Sequence, residues 1–164
     1  MTYTLTTAVS AVIDRVLLMQ AAIIATSTNE VKDWIHWEQE PPYWVNRPAR
    51  LIRTDDAGGY YDLEMTMRLI LAHISEVKTD YGDGTTPQAR AWTYIPEVIA
   101  YFETYDRLNM PGQTELTYLA PQRLTISCNT GADIVSLPGQ SNVSYKADFE
   151  LTIPLLIMEQ YGGN

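Results

Sequence analysis

Residues 60–74, YYDLEMTMRLILAHI, carry the decisive pattern of this chain. Tyr61, Leu63, Met65, Met67, Leu69, Leu71 and His73 recur at every second position, the period of a β-strand with one buried face. Asp62, Glu64, Thr66 and Arg68 occupy the other face, and then Ile70, Ala72 and Ile74 make that face apolar as well. Residues 144–159, SYKADFELTIPLLIME, repeat the design. Tyr145, Ala147, Phe149, Leu151, Ile153, Leu155 and Ile157 take one face; Lys146, Asp148, Glu150 and Thr152 take the other, until Pro154, Leu156 and Met158 turn it apolar. Both stretches read as long strands, half-buried at first and apolar on both faces towards their ends.

Outward from these strands, the remaining elements follow. In the N-terminal stretch Val9, Val12, Ile13, Val16, Leu17, Met19 and Ile23 are spaced by threes and fours, with Gln20 alone breaking the stripe, which predicts a helix over about 7–24 capped by Thr6 or Thr7. ARLIRT at 49–54 is a short strand, and DDAGG at 55–59 supplies a hairpin turn with positive φ. KTDYGDGTTP at 78–87 is a loop that ends in a helix start, with Thr85 or Thr86 as cap and Pro87 in the first turn. Ala89, Trp92, Ile95, Val98, Ile99, Phe102, Tyr105 and Leu108 form a helical stripe to about residue 109, with a kink or split expected at Pro96. PQRLTISCN at 121–129 is a strand, and GADIVSLPGQSN reads as a connection. The order is therefore α-β-β-α-β-β. It predicts an α+β fold in which an antiparallel four-stranded sheet carries two helices on one face. Pro154 argues that its strand lies at an edge or carries a bulge.

Bulk composition narrows the role. A chain of 164 residues reads as one domain, 1–164, large enough for its own core. The net charge of −9 argues against proteins that bind by neutralising phosphates, and against attraction to an anionic membrane. A single cysteine, Cys128, leaves no internal disulfide. MTYTLTTAVSAVIDR lacks the basic start of a signal peptide, and the expectation is that no apolar run is long enough to span a bilayer.

No spacing matches a catalytic, cofactor or metal motif. His73 belongs to the apolar face of a strand, and His36 sits between Trp34 and Trp37; two separated histidines without a cysteine cluster do not make a zinc site. DYGDG at 80–84 lacks the alternating oxygens and distal Glu of a calcium loop. Cys128 has no basic neighbour to depress its pKa, and Ser127 and Ser136 have no histidine at motif distance. The reading is of a protein that is not an enzyme and carries no cofactor or metal.

What remains is apolar surface. A strand of fourteen residues spans about 43 Å, whereas a compact domain of this size is about 40 Å across. Ile70, Ala72, Ile74, Leu156 and Met158 therefore lack an obvious cover: either the aromatic segment 25–49 lies over them, or they mark a subunit or partner contact. The segment 25–49 holds Trp34, Trp37, Tyr43 and Trp44 among three prolines, which deny it a regular helix or a central strand. These aromatics either cover the core or anchor an interface, and both roles are compatible.

AVSAVIDRVLLMQ (8–20), LEMTMRLILAHI (63–74), ARAWTYIPEVIAYFETYDRL (89–108) and ADFELTIPLLI (147–157) together resemble the tail terminator proteins of long-tailed bacteriophages, of which the lambda terminator is the type case. The likeness is one of order and pattern over most of the chain, and it extends to related neck and tail-completion proteins. It implies a structural virion protein, assembled in the host bacterial cytoplasm, that forms a hexameric ring. Such a ring caps the finished tail tube, meets the tube protein on one side and the head connector on the other, and lets DNA through without specific binding. An acidic chain suits that passage, because its field repels phosphates. A ring also needs two different patches on each subunit. The second reading is a small α+β ligand-binding domain or enzyme with a pocket under the aromatic 34–44 segment.

Overall fold

The computed structural model describes residues 5–24, 41–47, 49–54, 59–75, 87–137 and 140–157, with backbone alone at 73–75, 87, 88, 90, 132–137 and 140–143. Helix α1 (Leu5–Ile23) is followed by strands β1 (Tyr43–Asn46), β2 (Arg50–Arg53) and β3 (Tyr60–Ser75), helix α2 (Pro87–Thr104), and strands β4 (Thr125–Leu137) and β5 (Gln140–Leu156). All pairings are antiparallel, in the order β1-β3-β5-β4, with β2 also on β3. The fold is α+β, as the alternation predicts.

The count of five strands rather than four comes from one broken edge. β1 pairs Tyr43 with Ile70 and Asn46 with Met67, and β2 pairs Arg50 with Glu64 on the same side of β3. The register slips by one residue across Arg47–Ala49, where Pro48 has no N–H to give a ladder. Arg47 N still donates to Thr66 O at 3.1 Å, so the two short strands act as one interrupted ribbon.

A second irregularity explains why β3 turns apolar on both faces. Ile70 pairs with Lys146, but Ala72 pairs with Tyr145, so β3 carries a bulge at Leu71. An extra residue shifts the phase of alternation. Tyr145 belongs to the helix-facing set of β5, so Ala72 joins that side, and register pairs Ile74 with Val143. Only Ile70 remains apolar on the far face, where it forms a small buried cluster with Tyr43 and Val45 of β1. The expectation that Ile70 and Ala72 lack a cover within the chain is thus corrected: both are fully buried in the single chain. Tyr43 and Val45, from the aromatic segment, supply part of that cover. Leu156 is half-buried, while Met158 lies outside the described residues.

The helices lie on the other face. Ala8, Val12, Val16 and Met19 of α1 and Ala91, Ile95, Val98 and Phe102 of α2 pack on Leu63, Met65, Met67, Leu69, Phe149, Leu151 and Ile153. Gln20, the break in the α1 stripe, is fully buried yet satisfied: its amide exchanges two hydrogen bonds with Asn46, at 2.6 and 2.9 Å, and its carbonyl accepts from Trp44 Nε1 at 3.2 Å. Arg15 is buried as well, donating to the carbonyls of Leu108 (2.7 Å) and Thr114 (2.9 Å), which pins the segment after α2 to α1. Contrary to expectation, α1 is long and apolar enough to cross a membrane by length and composition. Here it lies on the sheet, with Arg15 and Gln20 committed to core hydrogen bonds.

Three further expectations are corrected. α2 is not split at Pro96 but runs through it, and Pro96 is exposed, on the solvent side where water can serve the carbonyl that loses its usual donor. Trp92 itself is 71% exposed, because the buried stripe of α2 is 91, 95, 98 and 102. Finally, GADIVSL is not a connection but the second half of β4, which pairs with β5 up to Leu137–Gln140. β5 is consequently internal rather than an edge. Pro154 is accommodated because β4 has not yet begun at that level: the neighbour is a short bridge at Leu119–Leu155, and Pro154 O accepts from Ala120 N at 2.9 Å.

Candidate interaction surfaces

Three surfaces remain outside this core. The first is the outer side of α1. Residues at i, i+4 spacing, Leu5, Val9, Ile13 and Leu17, are only half-buried, and Leu18 is exposed. With Thr6, Ser10 and Leu51 of β2, the first three of these line an open groove of about 430 Å³. A helix apolar on nearly all sides is normally buried all round, and this one is not. The second surface is the solvent side of α2, which presents Trp92.

The third is the sheet face away from the helices, where cross-strand charges are paired. Arg68 grips Asp148 with two bonds, Nε to Oδ1 at 2.7 Å and a second nitrogen to Oδ2 at 3.2 Å. Lys146 Nζ approaches Asp148 Oδ2 at 3.3 Å. Burial acts to raise the Asp148 pKa, but the hydrogen bonds and charges of Arg68 and Lys146 outweigh it and hold the carboxyl below its ordinary value. Thr66 donates to Glu150 at 2.9 Å on the same face. Asp148 and Glu150 each already have a donor, so this part of the face offers structure rather than a reactive group.

The titratable and nucleophilic candidates are similarly occupied. Cys128 is half-buried, and burial, together with the Asp148 charge, pushes its thiol up to about 11. Such a thiol is protonated at neutral pH and a poor nucleophile. Ser144 carries a fully buried hydroxyl without a hydrogen-bond partner among the described residues. Register sets it between His73 of β3 and Asp133 of β4. A relay requires histidine in the middle; here serine holds that place, and two strand spacings, about 9.6 Å, separate the other two. Among the described residues no group of three or more His, Cys, Asp or Glu could hold a metal ion.

Of the contact residues suggested by sequence, Tyr43, Trp44, Ile70 and Ala72 are fully buried within the chain. The Trp44 ring packs tilted against Phe149, centroids 5.9 Å apart, in the core. These four cannot serve as exposed anchors. Trp34, Trp37, His36, Met158 and the 80–84 stretch lie outside the described residues, as does the Ile74 side chain. Sequence reasoning missed the α1 groove, because an apolar stripe at helical spacing announces burial without saying how much. It also missed Trp92, which the helical period assigned to the buried stripe.

No protein-family model matches this chain, and no curated protein sequence is similar to it.

Proposed function

We propose that this chain is a ring-forming structural component of a bacteriophage tail, of the terminator or neck type, that caps the tail tube and joins it to the head connector. The observation that carries this reading is the length of the central ribbon. β3 has 16 residues and β5 has 17, or about 53–56 Å of strand. α1 has 19 and α2 has 18, or only about 28 Å of helix each. The ribbon is therefore about twice as long as either helix, a shape suited to reaching across to a neighbouring subunit. The element order and the helices gathered on one face agree with the resemblance, and the net charge of −9 suits a lumen that DNA must slide through.

In this reading the contact patches differ from those the sequence suggested. The groove of α1 with Leu51 and the exposed Trp92 of α2 are two unlike apolar patches, as a heterologous ring contact requires. Purified protein mixed with uncapped tail tubes, then imaged by electron microscopy, tests the proposal. The expected result is one ring at a tube end and arrest of tube growth. Tubes that lengthen unchecked, with the chain left free, would overturn it.

The pocket alternative loses ground in the part of the aromatic segment that is described. Tyr43 and Trp44 fill space in the packed interior instead of lining a cavity.

A further inference from the structure

β4 is an edge strand whose outer side is unpaired among the described residues, since it bonds only to β5. Which of its groups point outward follows from its neighbours. Pro154 O and Leu156 N both face the 118–120 side of β5, so even-numbered residues of β5 point that way. Thr152 pairs with Thr125, hence odd-numbered residues of β4 bond inward and even-numbered ones, from Ile126 to Ser136, turn their N–H and C=O outward. Natural edges are guarded by Lys, Pro or bulges. Residues 125–137 contain no Lys, Arg or Pro, Asp133 is their only charge, and their pairing with β5 runs without a register slip.

Gly131 sits at the midpoint of this strand and is exposed. Among the described residues nothing demands a glycine there. Its φ is not positive, and an added Cβ would meet only the side chain of Lys146, at an ordinary 3.7 Å. Gly59 shows the contrast, with φ +70 and the Ile157 carbonyl where a Cβ would go. An interior strand glycine without an internal reason marks the close approach of another backbone.

We infer that the outer edge of β4 pairs with β4 of a second copy of this chain, antiparallel, about a two-fold axis through Gly131. This is the register that overlaps all 13 residues. Because even positions carry the outward bonds, Gly131 faces its counterpart at a non-bonded site, where Cα atoms come within about 4.5 Å and a side chain is least welcome. The same register sets Asp133 opposite Asn129 of the second copy, so the single charge never meets itself. Two copies then share one continuous sheet with their helices on one face. The contact is isologous and closes at two, so it stands apart from the ring contact and does not depend on it.

Sedimentation velocity of the full chain and three variants tests this. The wild type is expected to be a dimer at micromolar concentration, and Thr130→Pro and Gly131→Val to be monomers with unchanged circular dichroism. In a Cys128→Ser background, Gly131→Cys should cross-link at dimer mass on oxidation, since the paired Cα distance falls within disulfide range. This readout decides the matter if Thr130→Pro fails to fold. A monomeric wild type at high concentration, a dimer that survives both Thr130→Pro and Gly131→Val, or no cross-link through residue 131 would each overturn the inference. None of these results bears on ring formation at tube ends, which is scored separately.

Discussion

Along the β1–β2 edge of the sheet, Pro48 removes a donor, the register slips, and Arg47, Arg50 and Arg53 place three cations within seven residues. Along the β4 edge, thirteen residues run with unbroken pairing to β5, one charge and a glycine at the centre. The first is built as natural edges usually are, broken and charged so that no strand adds to it. The second has none of those devices. The difference teaches that the sheet is finished on one side and left open on the other, with the open side carrying the longer ladder.

The contrast breaks first, and hardest, at the guarded edge. Trp44 of β1 is fully buried against Phe149 and donates to Gln20 O. Trp44→Ala should cost about 3–5 kcal/mol, read as a lowered midpoint in chemical denaturation. An edge strand that merely decorated the sheet would show a far smaller loss. Second in size comes the inner side of the open edge. Asn129 bonds inward to β5, so Asn129→Pro should cost up to about 3 kcal/mol by removing a ladder donor and leaving its acceptor on β5 unpaired. Third is the buried amide pair: Gln20→Ala strands the Asn46 side chain and should cost about 1–3 kcal/mol, whereas Gln20→Leu with Asn46→Leu recovers part of it.

These effects also show what could be read in advance. The α1 stripe was legible because helical period and apolar spacing coincide, and the long strands because period two runs through Tyr61–Leu71 and Tyr145–Ile157. The bulge at Leu71 was not, since a phase shift inside an apolar run leaves both phases apolar: Ile70 and Ala72 look like two exposed residues when they are buried on opposite faces. Gln20 looked like a flaw because its partner, Asn46, is 26 residues away and arrives only with β1. Gly131 read as a loop signal because glycine is a breaker on average. Nothing local distinguishes a glycine that ends a strand from one that clears room beside it.

A smaller effect tests the charged face between the two edges. Asp148 has a lowered folded pKa, so its stabilisation is complete above the ordinary carboxylate value of about 3.9 and fades as pH falls through the folded value. Melting temperatures of the wild type and Asp148→Asn should differ near neutrality and converge in acid. A constant gap from pH 7 to pH 2 would mean that the pair with Arg68 contributes nothing that titrates.

The smallest expected effect is the most discriminating. Thr130 lies next to Asn129, is exposed, and turns its N–H outward, so Thr130→Pro removes no bond within the chain. Proline is tolerated on an edge strand when its nitrogen faces away from the ladder. Measured on the monomer, its cost should stay below about 1 kcal/mol, against several times that for the residue beside it. Adjacent positions with such unequal costs are what an open edge predicts. Equal, large losses at 129 and 130 would mean that the outer side of β4 is already paired within the chain, and the two edges would then be finished alike.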